Sequence, residues 1–265
     1  MGNSESTLMN NILTRSALLD FGIQCGLFAI AAVLKTEKFY DLAGSGTFIF
    51  LALQSLRWGG HYYLRQKIQT GLVAAWGCRL GLYLFSRVMA AGQDRRFNKV
   101  RDNPKVFFFY WTVQAVWVFA TLLPTLILNA ESKDQVIGIR DYVGWGMWVV
   151  GFLMETVADR QKSVFRADPE NAGNFITSGL WSICRHPNYF GEILLWTGLF
   201  ISSSSVMSGR QYISALSPMF VWFLLSRVSG VPILERQGMR KWGNDPRYLE
   251  YVKKVPVLFP FFGGK

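Results

Sequence analysis

Seven windows of mostly apolar residues, near positions 17–35, 45–56, 70–91, 106–129, 140–158, 189–206 and 211–234, dominate this chain of 265 residues. A stretch of about 20 apolar residues is long enough to cross a bilayer core as a helix, because only a helix or a closed barrel satisfies its own backbone there. Half of the residues are hydrophobic, 15% are aromatic and 17% are charged, a balance too oily for an ordinary soluble domain of this size. The expectation is an all-α, polytopic transmembrane bundle of about seven helices, the 45–56 window being the shortest, followed by a cytoplasmic amphipathic tail. No internal repeat, low-complexity tract or long linker divides it, so residues 1–265 read as one membrane-embedded domain with a core over 16–260 and a flexible tail over 1–15.

The formal net charge of +11 sits in the connections between windows, where anionic head groups and the positive-inside rule account for it without nucleic acid. With an outside N-terminus and seven crossings, eighteen of the 28 Lys and Arg residues fall inside, in or bordering 36–44, 92–105, 159–188 and the tail. Seven fall outside. The tail and the 159–188 connection therefore face the cytoplasm. Gly2 followed by Ser6 also fits a myristoylation pattern, which requires a cytosolic N-terminus; six crossings, with 45–56 only dipping into the bilayer, would reconcile the two. No cleavable signal peptide is evident. Cys25, Cys78 and Cys184 form no close pair, and His61 and His186 have no companion at ligand spacing, so neither a disulfide framework nor a metal site is expected.

Three polar constellations could carry chemistry. On the third window Arg79, Tyr83 and Arg87 recur every four residues and share a face, leading to Gln93, Asp94, Arg95 and Arg96; guanidinium groups grip phosphates in a bidentate way, and the alternative is snorkelling with local ion pairs. On the fifth, Glu155 and Asp159 are again four apart and precede Arg160, Lys162 and Arg166, a mixture able to hold ribose hydroxyls and neutralise phosphate. The most telling stretch is Gly179 to Trp196, where Arg185, His186, Pro187, Asn188 and Glu192 run directly into a lipid-grade helix; ionisable groups at such a boundary are costly unless they hold something. Gly22 with Gly26, and Gly77 with Gly81, have the spacing that lets membrane helices approach closely. The Gly144-x-Gly146 pair, inside an apolar window, has no dinucleotide-fold meaning.

The segments WGCRLGLYLFSRVMAAGQDRRF from Trp76, ETVADRQKSVFR from Glu155 and GLWSICRHPNYFGE from Gly179, together with Tyr248, Tyr251 and Val255-Pro256, resemble the DUF1295 group of the steroid 5-alpha-reductase-like superfamily. That superfamily also contains sterol C14 reductases and isoprenylcysteine carboxyl methyltransferases. The resemblance implies a bundle of about seven to ten helices, open to the cytosol, that uses NADPH to reduce an activated carbon–carbon double bond in a steroid-like or other lipid, with the endoplasmic reticulum as its home. By position it implies cofactor-holding roles for Asp159, Arg166, Asn188, Glu192 and Tyr251, and phosphate contacts for Arg79 and Arg87. Tyr62 and Tyr83 are the two phenols that could protonate the substrate. The chain departs from its relatives where Asn174 replaces a basic residue and where Ser182, Ile183 and Cys184 interrupt the GLWRYSRHPNY pattern. Two other readings stand beside this one: an S-adenosylmethionine-dependent methyltransferase acting on a lipid or prenylcysteine, and a non-catalytic lipid-binding protein on the same scaffold.

Overall fold

A computed structural model describes the backbone of residues 2–260 and their side chains, apart from those of residues 2–6 and Arg95. The Gly2 modification concerns residues outside the described side chains. Among the described residues every regular element is helical. The long helices are α1 (Gly2–Val33), α2 (Tyr40–Gly59), α3 (Leu64–Ala91), α4 (Pro104–Ala130), α5 (Ile139–Ala167) and α6 (Pro187–Ser203), followed by α7 (Leu216–Phe223), a π-turn (Leu224–Val228), α8 (Val231–Trp242) and α9 (Pro246–Lys254).

Six of the seven windows each fall mainly on one helix, and 211–234 runs through a 3-10 segment, α7, the π-turn and the start of α8; four helical stretches are long and apolar enough to cross a membrane: Thr7–Val33, Leu64–Ala91, Pro104–Ala130 and Gly209–Trp242. Helix α6 has 17 residues, and α2 and α5 carry more polar groups. Helix α1 begins at Gly2 and includes residues 2–15. The chain also separates into two compact units, Met1–Asp141 with Ser202–Ser217, and Tyr142–Ile201 with Pro218–Lys265.

In the first unit, buried polar residues sit among a core of rings and aliphatic side chains, while other apolar residues face outward as they do on a helix in lipid. Along α1, Ser16, Asp20 and Gln24 recur every four residues and are buried, while Leu18, Ile30 and Val33 are exposed. Gln114 Nε2 donates to the side-chain oxygen Oε1 of Gln24 at 3.0 Å, and Gln24 Nε2 donates to Thr47 at 3.2 Å, joining α1, α2 and α4. Asn129 donates to Ser55 and Thr70, joining α4 to α2 and α3. Such bonds between membrane helices are each worth about 0.6–2 kcal/mol. Gly77 and Gly81 bring α3 onto α2, a Cβ at Gly81 falling 2.8 Å from Ser45 Cβ. Gly22 and Gly26 play no such part, since a Cβ at either would meet nothing within 4 Å.

Several ion pairs of this unit lie at helix ends. The Arg65 guanidinium, fully buried, forks onto Asp141 through Nε (2.6 Å) and Nη2 (2.9 Å) and also pairs with Asp134. At the other end of α3, the 92–103 connection is pinned by Arg96 to Asp94 and Asp41, and by Arg101 to Glu37. Burial pushes the Asp94 carboxyl up, but Arg96 outweighs it and holds the group below the usual carboxylate range.

In the second unit, α5 and α6 cross at glycines. A Cβ at Gly191 would fall 2.5 Å from the Gly151 carbonyl oxygen and 2.8 Å from the Glu155 nitrogen, and Gly198 packs likewise on the Gly144 carbonyl. Gly144 and Gly151, like Gly191 and Gly198, are seven apart, so each helix offers one flat stripe to the other. Helix α9 starts by sequence logic: Asp245 caps it by accepting from Arg247 N at 2.9 Å, with Pro246 at the first helical position.

Candidate functional site

The α5–α6 crossing sets the site, because it lays the polar ends of both helices side by side. Glu155 and Asp159 on α5 and Glu192 on α6 are all buried. Asn188 Nδ2 donates to Asp159 Oδ1 at 3.1 Å, so two residues singled out from separate motifs meet directly. That bond fixes the amide's orientation and leaves Asn188 Oδ1 buried with no hydrogen-bond partner. A buried carbonyl oxygen without a donor forgoes a hydrogen bond, so this amide has acceptor capacity to spare. Glu192 accepts from the Trp196 indole at 2.9 Å, which turns its carboxylate along its own helix. Lys162 lies over the Trp181 ring, 4.5 Å from its centroid, and Arg166 is exposed at the last turn of α5.

The loop between α5 and α6 is held from several directions. The Trp181 indole donates to the Ala158 carbonyl at 3.1 Å, Tyr251 Oη donates to the Trp181 carbonyl at 2.7 Å, and Arg185 N donates to the Pro256 carbonyl at 2.9 Å. Tyr251, expected to hold cofactor, therefore has its hydroxyl committed to the loop backbone, and burial pushes that phenol up. One carboxylate, Glu235, takes both Arg185 Nη1 (2.6 Å) and His186 Nε2 (2.7 Å). Burial lowers the His186 pKa and outweighs the pull of Glu235, which Arg185 already neutralises. A neutral ring that donates from Nε2 carries a bare lone pair on Nδ1, in keeping with the absence of a partner there. The sequence marked Arg185 and His186 but not Glu235 as their common partner; the separation of about 50 residues leaves no local signal. Cys184 is buried and its thiol is pushed up to about 11 by that burial, so it packs rather than reacts. Cys25 and Cys78 are exposed on their helices.

Two open grooves flank the segment 168–178. One of about 450 Å³ lies between the end of α5, residues 171–177 and α9 and includes Tyr251; the other, of about 540 Å³, is lined by Arg160, Gln161 and Asp168 among others. Among the described residues no group of three or more His, Cys, Asp and Glu side chains is placed to hold a metal ion.

The remaining expected residues belong to the first unit. Arg79 lies over the Tyr83 ring, 5.4 Å from its centroid, and both are half-buried, whereas Arg87 is exposed. Tyr62 is exposed and adopts a left-handed φ of 55° in the turn before α3. Tyr62 and Tyr83 are separated by most of a 28-residue helix, about 30 Å at 1.5 Å per residue, so they are alternatives and not partners.

The chain resembles proteins of more than one named activity. It is 30% identical to a probable O-methyltransferase, ustE, of Ustilaginoidea virens over 104 residues, covering 39% of this chain and 34% of that protein. It is 27% identical to 3-oxo-5-alpha-steroid 4-dehydrogenase 1 of Macaca fascicularis over 130 residues, covering 49% of this chain and 44% of the relative. A Delta(14)-sterol reductase of Mus musculus is 30% identical over 129 residues, 43% of this chain and 28% of the relative. The chain thus spans less than half the length of each of these three relatives. No solved structure matches it. The sequence profile of the family described as "Protein of unknown function (DUF1295)" matches residues 27–255, most of the chain. The chain belongs to the DUF1295 family, within the steroid 5-alpha-reductase-like group of helical membrane proteins.

Proposed function

We propose that this protein is an integral membrane reductase that takes NADPH from the cytosol, at the endoplasmic reticulum, and reduces an activated carbon–carbon double bond in a steroid-like or other lipid. The observation that carries this reading is the Asn188–Asp159 pair at the α5–α6 crossing, with Asn188 Oδ1 buried and open to a donor. A nicotinamide carboxamide presents such an N–H, and ribose hydroxyls present O–H groups to the carboxylates of Asp159 and Glu192, so the residues fit the cofactor's polar groups. When bound, the nicotinamide supplies hydride to the electron-poor carbon. Asn188 and Asp159 orient that ligand, Arg166 offers a charge for its phosphates, and the packed loop over Trp181 keeps water out. Arg79 and Arg87 are kept as second candidates for phosphate contact. For the proton that completes the reduction, Tyr83 ranks before Tyr62, because it is half-buried against a guanidinium and Tyr62 is exposed in a turn.

The similarity to a probable O-methyltransferase favours a second reading, transfer of a methyl group from S-adenosylmethionine to a lipid or prenylcysteine. Thermal shift of the purified protein with NADPH, NADH and S-adenosylmethionine separates the two, since a ligand that binds only the folded state raises its apparent stability. NADPH is expected to stabilise and S-adenosylmethionine to have no effect; the reverse pattern overturns the reductase. Asn188→Ala and Arg166→Ala are each expected to weaken NADPH binding by more than tenfold, while Arg87→Ala, on the exposed end of α3, changes it less.

A further inference from the structure

The groove between the end of α5, residues 171–177 and α9 plays no part in the chemistry above, yet its lining is specific. One wall is aromatic and firmly supported. Phe175 packs edge-on against Trp242 (5.6 Å between centroids) and Tyr248 (4.9 Å) and lies tilted against Tyr251 (5.8 Å), whose hydroxyl is anchored on the loop backbone. Phe165 contributes a second ring to the lining. The lining also includes one charged stripe of α9, Arg247, Glu250 and Lys254, spaced three and four residues apart so that all share a face. Asn174 and Thr177 add neutral hydrogen-bonding groups.

The cations are available to a ligand. Arg247 gives its Nε and Nη2 to Asp245, which leaves the Nη1 side of the fork uncommitted, and its side chain is 75% exposed. Lys254 meets Glu250 at 2.5 Å, and both ends of that pair are well exposed, so solvent screening makes it worth little and easily exchanged. A cavity of about 450 Å³ is within the usual range for a small-molecule site. Free inorganic phosphate would have no use for two aromatic rings. A purine does, its sugar hydroxyls suit Glu250, and a phosphate monoester on the sugar suits a guanidinium and an ammonium held two helical turns apart on one face.

We propose that this groove seats the phosphorylated adenosine end of the dinucleotide, with Arg247 and Lys254 on the ribose 2′-phosphate, and that it sets the preference for NADPH over NADH. The proposal rests on the reductase reading. The phosphate adds about two negative charges that NADH lacks, so the two cations contribute to one cofactor and not to the other.

The test is calorimetric titration of the full-length protein in detergent, at fixed ionic strength, with NADPH, NADH, 2′,5′-ADP and inorganic phosphate. The wild-type protein is expected to prefer NADPH over NADH and to bind 2′,5′-ADP but not phosphate alone at comparable concentration. In the double variant Arg247→Gln/Lys254→Gln, NADPH and 2′,5′-ADP affinity should fall at least tenfold while NADH stays within twofold; Arg247→Lys should recover part of the loss. An unchanged NADPH to NADH ratio, or an equal fall for both, overturns the groove assignment and leaves the reductase reading standing. Failure of the wild-type protein to bind either nicotinamide dinucleotide removes the reductase reading and this proposal with it. Both substituted side chains are exposed and should leave the thermal midpoint unmoved; if the double variant does not fold, Lys254→Gln alone carries the comparison with the same two outcomes.

Discussion

The two compact units use polar residues for different ends. In the unit of Met1–Asp141 and Ser202–Ser217, the buried amides of Gln24, Gln66, Gln114 and Asn129 reach from one long helix to another, and the arginines at the helix ends are matched by carboxylates. In the unit of Tyr142–Ile201 and Pro218–Lys265, the polar groups instead tie one loop to its surroundings and leave acceptor positions open at Asn188 Oδ1 and His186 Nδ1. The first pattern is what a lipid-embedded frame needs, with hydrogen bonds carried from helix to helix, although buried acceptors such as Asn129 Oδ1 stay open there too. The second gathers its polar groups at one loop and one helix crossing, where the proposed ligand would meet Asn188 Oδ1. The contrast teaches that burial of a polar residue in this chain has no single meaning, and that what its partner is attached to decides its role.

The contrast is broken most severely at Arg65. Removing this guanidinium leaves two carboxylates, Asp141 and Asp134, without their shared cation, and Asp141 is wholly buried. Breaking a buried pair by deleting one partner costs about 3–5 kcal/mol, because the remaining charge is stranded. Arg65→Ala should therefore lower the thermal midpoint more than any substitution in the second unit, and Arg65→Lys, lacking the fork, should recover only part of it. A loss no greater than that of a surface substitution would mean that the first unit is not held by this cluster.

Next in size is the glycine crossing of the second unit. A methyl group at Gly191 would stand 2.5 Å from the Gly151 carbonyl oxygen, which is backbone and cannot swing aside, so α5 and α6 must part. Overpacking of this kind costs about 1–3 kcal/mol. Because Asp159 and Asn188 meet across this crossing, Gly191→Ala should also weaken NADPH binding. The control is Gly26→Ala in α1, where a Cβ meets nothing and the better helix former should leave stability equal or slightly higher. Thermal midpoints of the two variants, with and without NADPH, separate a local opening from a general loss of stability.

Much of the frame was legible in the sequence, since apolar windows report helices directly: six of the seven fall mainly on one helix each, and 211–234 covers several short helical elements. Gly77 and Gly81 were read correctly as a close approach, whereas Gly22 and Gly26 share the same spacing and face open space. The spacing states what a helix could allow, and the neighbour states whether it is used. Of the site, the motif residues Asn188 and Asp159 were legible and do meet. The seven-residue repeat of Gly144, Gly151, Gly191 and Gly198, which brings them together, was present in the sequence but hidden among a dipeptide pattern with no bearing on it. The Glu235 pairing and the aromatic support of the α9 groove depend on contacts across tens of residues, which no local pattern encodes.

The smallest expected effect is also the one most specific to the second unit. His186 has its pKa lowered in the folded protein by burial, so the imidazole stays neutral there while an unfolded chain takes up a proton near pH 6.5. Above that value both states are neutral and the residue contributes nothing to the pH dependence. As pH falls from 6.5 toward 5, only the unfolded state gains a proton, and stability should decline by up to about 1.4 kcal/mol per pH unit until the folded-state value is reached. The carboxylates held low by cations, Asp94 in the first unit among them, begin to lose their contribution only once pH falls to the ordinary carboxylate value, below the pH at which the His186 effect sets in. His186→Gln keeps a hydrogen-bonding group of similar reach beside Glu235 and cannot titrate. Unfolding midpoints measured at pH 7, 6 and 5 should fall more steeply for the wild-type protein than for this variant; parallel curves would mean that His186 is free to protonate in place, and that its contact with Glu235 is a full ion pair and not a neutral hydrogen bond.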